Sequence, residues 1–335
     1  MALHGGGAAG WGECVAGERP DYSPETTETA WQVLATEVLP AVVGQEHPGG
    51  AAGIGDATAW IRGHPMARAA VEMAAWDLEA KLGGVPLYKA LGGGRRAVPT
   101  GISLGLQPDR DALVARVGAA LAEGYRRIKL KIEPGRDVEP LRAVRTRFPD
   151  APLSVDANAA YTLGDLPRLR ALDELGLLMI EQPLAADDLV GHARLQSELA
   201  TAICLDESIT SAATARQALD LGACRVINLK PGRVGGLGEA RRIHDICLSR
   251  GVPVWCGGML ESGVGRAHNV ALATLPGFTL PGDLSPSRRY WERDLVDPEW
   301  VMEEGALTPL DRPGIGVEPN LARIEALAAR RMHFR

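Results

Sequence analysis

Two lysines, Lys129 and Lys131, stand two positions apart in the apolar run "RIKLKIEPG" at 127–135. In a strand, residues i and i+2 share a face, so both ammonium groups would project from one side. Charged residues close the following apolar runs: Asp156 in "LSVDAN", Glu181 in "MIEQPL", Asp206 in "CLDESI" and Lys230 in "INLKPG". Counted from Lys131, they recur at steps of 25, 25, 25 and 24 residues. A single carboxylate after a strand reads as a loop residue or helix N-cap. Three in phase, flanked by lysines in the same phase, read as one site. Asp156, Glu181 and Asp206 are hard oxygen donors, and none of the seven histidines has zinc-site spacing to another, which points to Mg²⁺. Mn²⁺ also accepts an octahedral oxygen site. A carboxylate substrate held by such an ion, with a lysine beside its α-carbon, is set up for proton abstraction to an enediolate. Burial, mutual repulsion and a nearby dication are expected to lower the lysine pKa values, with the carboxylates opposing.

The elements that must position these charges alternate. Strands are expected at 128–132, 153–155, 177–180, 203–205, 226–229 and 252–256. Stretches with a helical apolar stripe lie between them, such as "VEPLRAVRTRF" and "LGEARRIHDICLSRG". Repeated βα units imply a parallel sheet, and a closed barrel would gather all the strand-end charges at one mouth. Before residue 95 the character differs. "SPETTETAWQVLATEVLPAVV" reads as a helix with Ser23 as cap ahead of Pro24, and "HPMARAAVEMAAWDLEAKLGG" as a second helix ending at Gly83-Gly84. "VPLYKALGGG" is a turn-rich connector.

Composition narrows the class of protein. The 335 residues are 46% hydrophobic with net charge −6, which gives no support to a nucleic-acid or anionic-membrane partner. Five scattered cysteines without a C-x-x-C pair fit a reducing compartment, and neither a signal peptide nor an apolar membrane span is visible. The expected setting is the cytoplasm, with a small-molecule carboxylate as partner and a symmetric homo-oligomer as the assembly.

The ordered motifs "KLKIEPG", "SVDAN", "IEQPL", "CLDESI", "INLKPGRVGG" and "WCGGMLESGVGRAHN" resemble the enolase superfamily, muconate-lactonizing branch. The closest likeness is to the o-succinylbenzoate synthase/N-succinylamino acid racemase family, from "GWGEC" to "PGIGVEP". That resemblance implies an α/β fold, a modified TIM barrel (β/α)7β with an α+β capping domain. The expected divisions are a capping domain at 1–95, a barrel at 96–290 and a segment returning to the cap at 291–335. It implies Asp156, Glu181 and Asp206 as Mg²⁺ ligands, Lys131 as general base, Lys129 as its electrostatic companion, and Lys230 on the opposite face. Lysine bases beside Mg²⁺ are the known arrangement of that superfamily. The implied reaction is dehydration to o-succinylbenzoate in menaquinone synthesis, or racemisation of N-succinylamino acids. A dipeptide epimerase or cycloisomerase is the alternative enzyme, and a non-catalytic binding barrel the alternative of another class. Family members have about two further strands and a mobile loop before "GWGEC", so the capping domain is expected to be short at its N-terminus.

Further residues are matched by role. Asn158 and Glu207 are expected to orient the ligands or Lys230. Ser103, Gly258, Met259, Leu260 and Tyr290 are expected at the substrate, although Met259 and Leu260 also read as ordinary core. Glu261 reads as structural, Arg288-Arg289 as a solvated face, and His244 and His268 as packing or surface residues. "PGRVGGLGEARR" reads as a tight strand-to-helix turn and lacks a phosphate-loop pattern.

Overall fold

The computed structural model describes residues 1–94 and 96–334. The chain opens with a hairpin in which β1 (Ala2–Gly5) and β2 (Ala8–Trp11) pair antiparallel, Gly5 opposite Ala8. Gly6 and Gly7 form the connection with φ of 56° and 81°, the left-handed backbone that a two-residue turn between twisted strands requires. The hairpin lies directly on helix α4 (Pro65–Leu82): a Cβ at Gly10 would meet the Ala74 carbonyl oxygen at 2.0 Å.

Helix α1 (Thr27–Val33) runs through a π-helical turn (Leu34–Val38) into α2 (Leu39–Val42) and is followed by α3 (Ala51–Ala57). Thr26, not Ser23, caps α1. Its hydroxyl accepts from Thr29 N at 3.3 Å, while Thr29 Oγ1 accepts from Thr26 N at 3.0 Å. Helix α4 stops at Gly83, with Gly84 at φ 66°, and the connector contains one further turn of helix, α5 (Leu87–Ala90).

Strand–helix alternation then begins. The elements are β3 (Val98–Pro99), β4 (Gly101–Leu104), α6 (Arg110–Ala122), β5 (Arg127–Lys131), α7 (Val138–Arg147), β6 (Leu153–Asp156), α8 (Leu166–Asp173), β7 (Ile180–Glu181) and α9 (Leu189–Glu198). They continue with β8 (Ile203–Leu205), α10 (Ala212–Asp220), β9 (Val226–Leu229), α11 (Pro231–Val234), α12 (Leu237–Ser249), β10 (Val254–Cys256) and α13 (Gly263–Leu272). Strands β4 to β10 form one parallel sheet in chain order. Segment 277–283 bonds to both of its edges. Val254 N donates to Gly277 O and Asp283 N to Cys256 O on one side; Gly101 N donates to Gly282 O and Gly282 N to Pro99 O on the other. A single segment paired to both edges closes the sheet into a barrel. Ile128, Leu130, Leu153 and Val155 are buried and alternate along β5 and β6 with polar residues, so the two faces of these strands separate apolar packing from polar groups. Two expected strands shorten, 177–180 to Ile180–Glu181 and 252–256 to Val254–Cys256; in the second, Pro253 has no N–H to give the ladder.

After the barrel, β11 (Val296–Asp297) pairs with β13 (Glu318–Pro319), β12 (Ala306–Leu307) pairs with β3, and α14 (Leu321–Leu327) follows. Buried Asp77 ties this part of the chain to the first: Oδ1 accepts from Ile315 N at 2.7 Å, and Oδ2 from Trp11 N and Lys81 Nζ, both at 2.8 Å. Among the described residues, no helix is long and apolar enough to cross a membrane.

Buried His192 holds the loop that follows β7. One ring nitrogen, Nδ1, lies 2.7 Å from Asp188 O and the other accepts from Leu184 N at 3.2 Å, which assigns the neutral Nδ1–H tautomer. Burial lowers its pKa below the ordinary histidine value. The unfolded chain therefore binds a proton near pH 6.5 that the folded chain refuses, so this contribution to stability is complete above that pH and is lost as pH falls. Urea unfolding at pH 7.5 and 5.5 should show a smaller acid loss for His192→Gln than for the parent chain; equal losses would exclude His192 as a source.

Candidate active site

Lys129 and Lys131 leave β5 on the same face. Lys129 lies deeper and is buried, with Nζ 2.7 Å from Asp283 Oδ2, 3.0 Å from Glu181 Oε2 and 3.2 Å from Asp156 Oδ2. Lys131 sits at the rim with its side chain 30% exposed, donating to Asp156 Oδ2 at 2.7 Å and to Asn158 Oδ1. Asp156 and Glu181 are register partners at the ends of β6 and β7. Asp206 follows β8, where Gln182 positions it by accepting from Asp206 N at 3.0 Å and Ser208 N at 3.2 Å. Lys230 follows β9, four strands from β5 and hence across the barrel, and donates to Asp206 Oδ2 at 2.8 Å. The three carboxylates and three lysines singled out by phase therefore share one mouth.

Burial opposes the ammonium form of Lys129, but Asp283, Glu181 and Asp156 together outweigh it and hold the pKa above the ordinary lysine value. Lys230 is also raised: burial opposes, and Tyr22, Glu181 and Glu207 prevail. Before a cation binds, the carboxylates that oppose the lowering prevail at these two lysines. Asp156 is held below the usual carboxylate range, its burial overcome by Lys129 and Lys131.

The site's fit to a divalent cation rests on its donors. Glu181 Oε1 accepts from Asn228 Nδ2 at 2.8 Å, whereas Oε2 is buried without a hydrogen bond; Lys129 Nζ is near it but not aligned to donate. An orphaned carboxylate oxygen between two further carboxylate-bearing strand ends suits a hard cation. In this structure Lys129, Lys131, Lys230 and Arg233 satisfy these carboxylates instead. Among the described residues, no three acidic, histidine or cysteine side chains already converge on one point. The donor type is that of a hard divalent cation site.

Asn158 Nδ2 donates to Glu207 Oε1 at 2.9 Å, linking the Lys131 side of the mouth to the loop after β8. Ser103 is the register partner of Lys129, and its carbonyl accepts from Arg289 Nη2 at 3.0 Å. Arg289 is thus half-buried against the strand end, while Arg288 is exposed and paired with Glu299. Gly258 abuts the closing segment, where a Cβ would meet Asp283 O at 2.2 Å. Leu260 is 73% exposed and Met259 half-buried, so neither is core. Tyr290 lies beside Arg266, whose Nη2 is 2.8 Å from Glu261 Oε1. His244 and His268 are buried packing residues that contact Gly277 N and Trp11 O. At "PGRVGGLGEARR" the start of α12 is filled by Glu72, which accepts from Leu237 N and Gly238 N at 2.8 Å, leaving no room for a phosphate.

Five contributors were not singled out from sequence: Tyr22, Gln182, Asn228, Arg233 and Asp283. Asp283 is the most consequential, with Oδ1 accepting from Arg127 Nη2 at 2.7 Å beneath Lys129. Its signal was available, since it ends the closing segment as Asp156 ends β6.

Together these features define a capped βα-barrel enzyme with an acidic and lysine-rich mouth. Residues 112–323 match the enolase C-terminal domain-like family, and residues 2–92 the mandelate racemase/muconate lactonizing enzyme N-terminal domain; the chain belongs to this enolase-superfamily group. It is 56% identical over 321 residues to the o-succinylbenzoate synthase of Geobacillus kaustophilus, covering 95% of this chain and 85% of the relative. It is 52% identical over 325 residues to the N-succinylamino acid racemase of Thermus thermophilus, covering 97% and 88%. A solved enolase-superfamily member from Enterococcus faecalis superposes with a TM-score of 0.91 at 45% identity, covering 96% of this chain and 86% of that one.

Proposed function

We propose that this chain removes a proton α to a substrate carboxylate with Mg²⁺ at Asp156, Glu181 and Asp206, forming o-succinylbenzoate by dehydration. The observation that carries the reading is the placement of Lys131 and Lys230 on opposite sides of the mouth, each against one of the carboxylates. A bound divalent cation would anchor and neutralise the substrate carboxylate, which acidifies the α-proton. Lys131 takes that proton from the rim, where its side chain is 30% exposed, and in the dehydration returns it to the departing hydroxyl as the C–O bond breaks, so that water leaves. Lys129 remains a buried ammonium and offsets the carboxylates beside it. Lys230 faces the developing negative charge from across the barrel as an ammonium. The likeness to o-succinylbenzoate synthases supports the dehydration.

The same opposed lysines favour a second activity, racemisation of N-succinylamino acids, in which Lys230 returns the proton from the other face. Proton NMR in D₂O with Mg²⁺ tests both reactions. Loss of the α-proton signal of N-succinyl-L-phenylglycine reads the second, and formation of o-succinylbenzoate from its hydrated cyclohexadiene precursor reads the first. Turnover of either at enzymatic rates is the expected result; absence of both would overturn the reading.

A further inference from the structure

Residues 12–25 cross from the hairpin to α1 as a strap tied at both ends. Glu13 accepts from Ser262 N at 2.9 Å, Ser262 Oγ at 2.7 Å and Gly265 N at 2.9 Å at the start of α13. At the other end Glu25 accepts from Met66 N and Ala67 N, both at 2.8 Å, at the start of α4. Each tie is a carboxylate on backbone N–H groups at a helix start, where charge and hydrogen bonding reinforce one another.

Between the ties, half-buried Tyr22 reaches the mouth. Its hydroxyl accepts from Lys230 Nζ at 3.1 Å and from Arg233 Nη1 at 3.3 Å, and donates to Asp206 Oδ1 at 3.3 Å. The Lys230 ammonium also sits 4.5 Å from the Tyr22 ring centroid, close enough for a cation–π contact. Lys131, by contrast, donates among the described residues to Asp156 and Asn158, both barrel residues. The strap therefore touches one lysine of the pair and not the other.

We infer that Tyr22 is a positioning residue for Lys230, fixing the direction of its ammonium so that one face of the substrate is served by a side chain clamped from the capping domain. The inference rests on the proposed two-lysine chemistry. A lysine carries four rotatable carbons, and misplacement of a reacting group by about 1 Å costs on the order of 10²-fold in rate. Loss of a single clamping hydroxyl should cost less than this.

The test is the initial rate of α-proton loss from each enantiomer of N-succinylphenylglycine in D₂O with Mg²⁺, for the parent chain and Tyr22→Phe. Lys230→Ala identifies the enantiomer whose α-proton faces Lys230. Tyr22→Phe should slow that enantiomer about tenfold and change the other by less than about twofold. Tyr22→Leu, which also removes the ring, should widen the asymmetry. Equal slowing of both enantiomers, as a general structural role or a disturbed Asp206 would give, overturns the inference, and so does no slowing. If the parent chain exchanges neither enantiomer, the functional reading itself falls and takes this one with it.

Discussion

Lys131→Ala should lower the rate of α-proton removal by roughly 10²–10⁴-fold, the range for losing a general base, while leaving the urea midpoint nearly unchanged. The two halves of this expectation have one cause. Lys131 is at the rim, so truncating it opens no buried cavity, and its partner Asp156 keeps Lys129 at 3.2 Å. No buried charge is left alone. Exchange in D₂O and urea unfolding on the same preparation check both halves. A variant that keeps more than about a tenth of the parent rate would remove Lys131 from the role of base.

Asp283→Ala should act in the opposite way, destabilising the fold by roughly 3–5 kcal/mol because it removes one partner from a buried ion pair. Arg127 is fully buried, and Asp283 is the only carboxylate in an ion pair with it among the described residues. The other contacts of Arg127 are to Pro281 O, Ser154 Oγ and the Trp255 ring, 4.0 Å from the guanidinium. None of these is anionic. Lys129 and Arg127 overcome the burial of Asp283 and bring its carboxyl pKa to about 2, so the pair stays ionised far into acid. Asp283→Asn, which keeps the shape and one acceptor, should recover part of the loss. A shift of the urea midpoint worth less than about 1 kcal/mol for the alanine variant would contradict the argument.

The mouth was legible in the sequence because its charges obey two periods at once. Period two within β5 put Lys129 and Lys131 on one face, and the recurrence of βα units put Asp156, Glu181, Asp206 and Lys230 at successive strand ends. What was missed lies where another signal competes. Asp283 stands in "LPGDLSP", where proline and glycine read as a loop, although the segment pairs with both edges of the sheet. Pro24 pulled the expected start of α1 toward Ser23, while a Thr26–Thr29 pair makes the actual capping box without the usual acidic third residue. The Gly6-Gly7 hairpin was not singled out, since its flanking strands are only four residues each. Tyr22 belongs to an irregular strap, and no periodicity announces that an aromatic there will meet a lysine more than two hundred positions later. The lysine pKa values depend on which groups face them in space, Asp283 foremost for Lys129 and Tyr22 and Glu181 for Lys230, and spacing along the chain does not carry that.

Closure of the barrel by segment 277–283 also orders events during synthesis. The first strand of the parallel sheet to leave the ribosome, β4, must wait until residue 282 has emerged before the Gly101 N–H finds its acceptor. Until then both edges of a growing parallel sheet present unpaired N–H and C=O groups, the condition under which nascent chains associate wrongly. Arg127 waits for the same stretch to deliver Asp283. Ribosome-bound chains halted before residue 277 should therefore engage chaperones and resist compaction, and those that expose 283 and the residues after it should not.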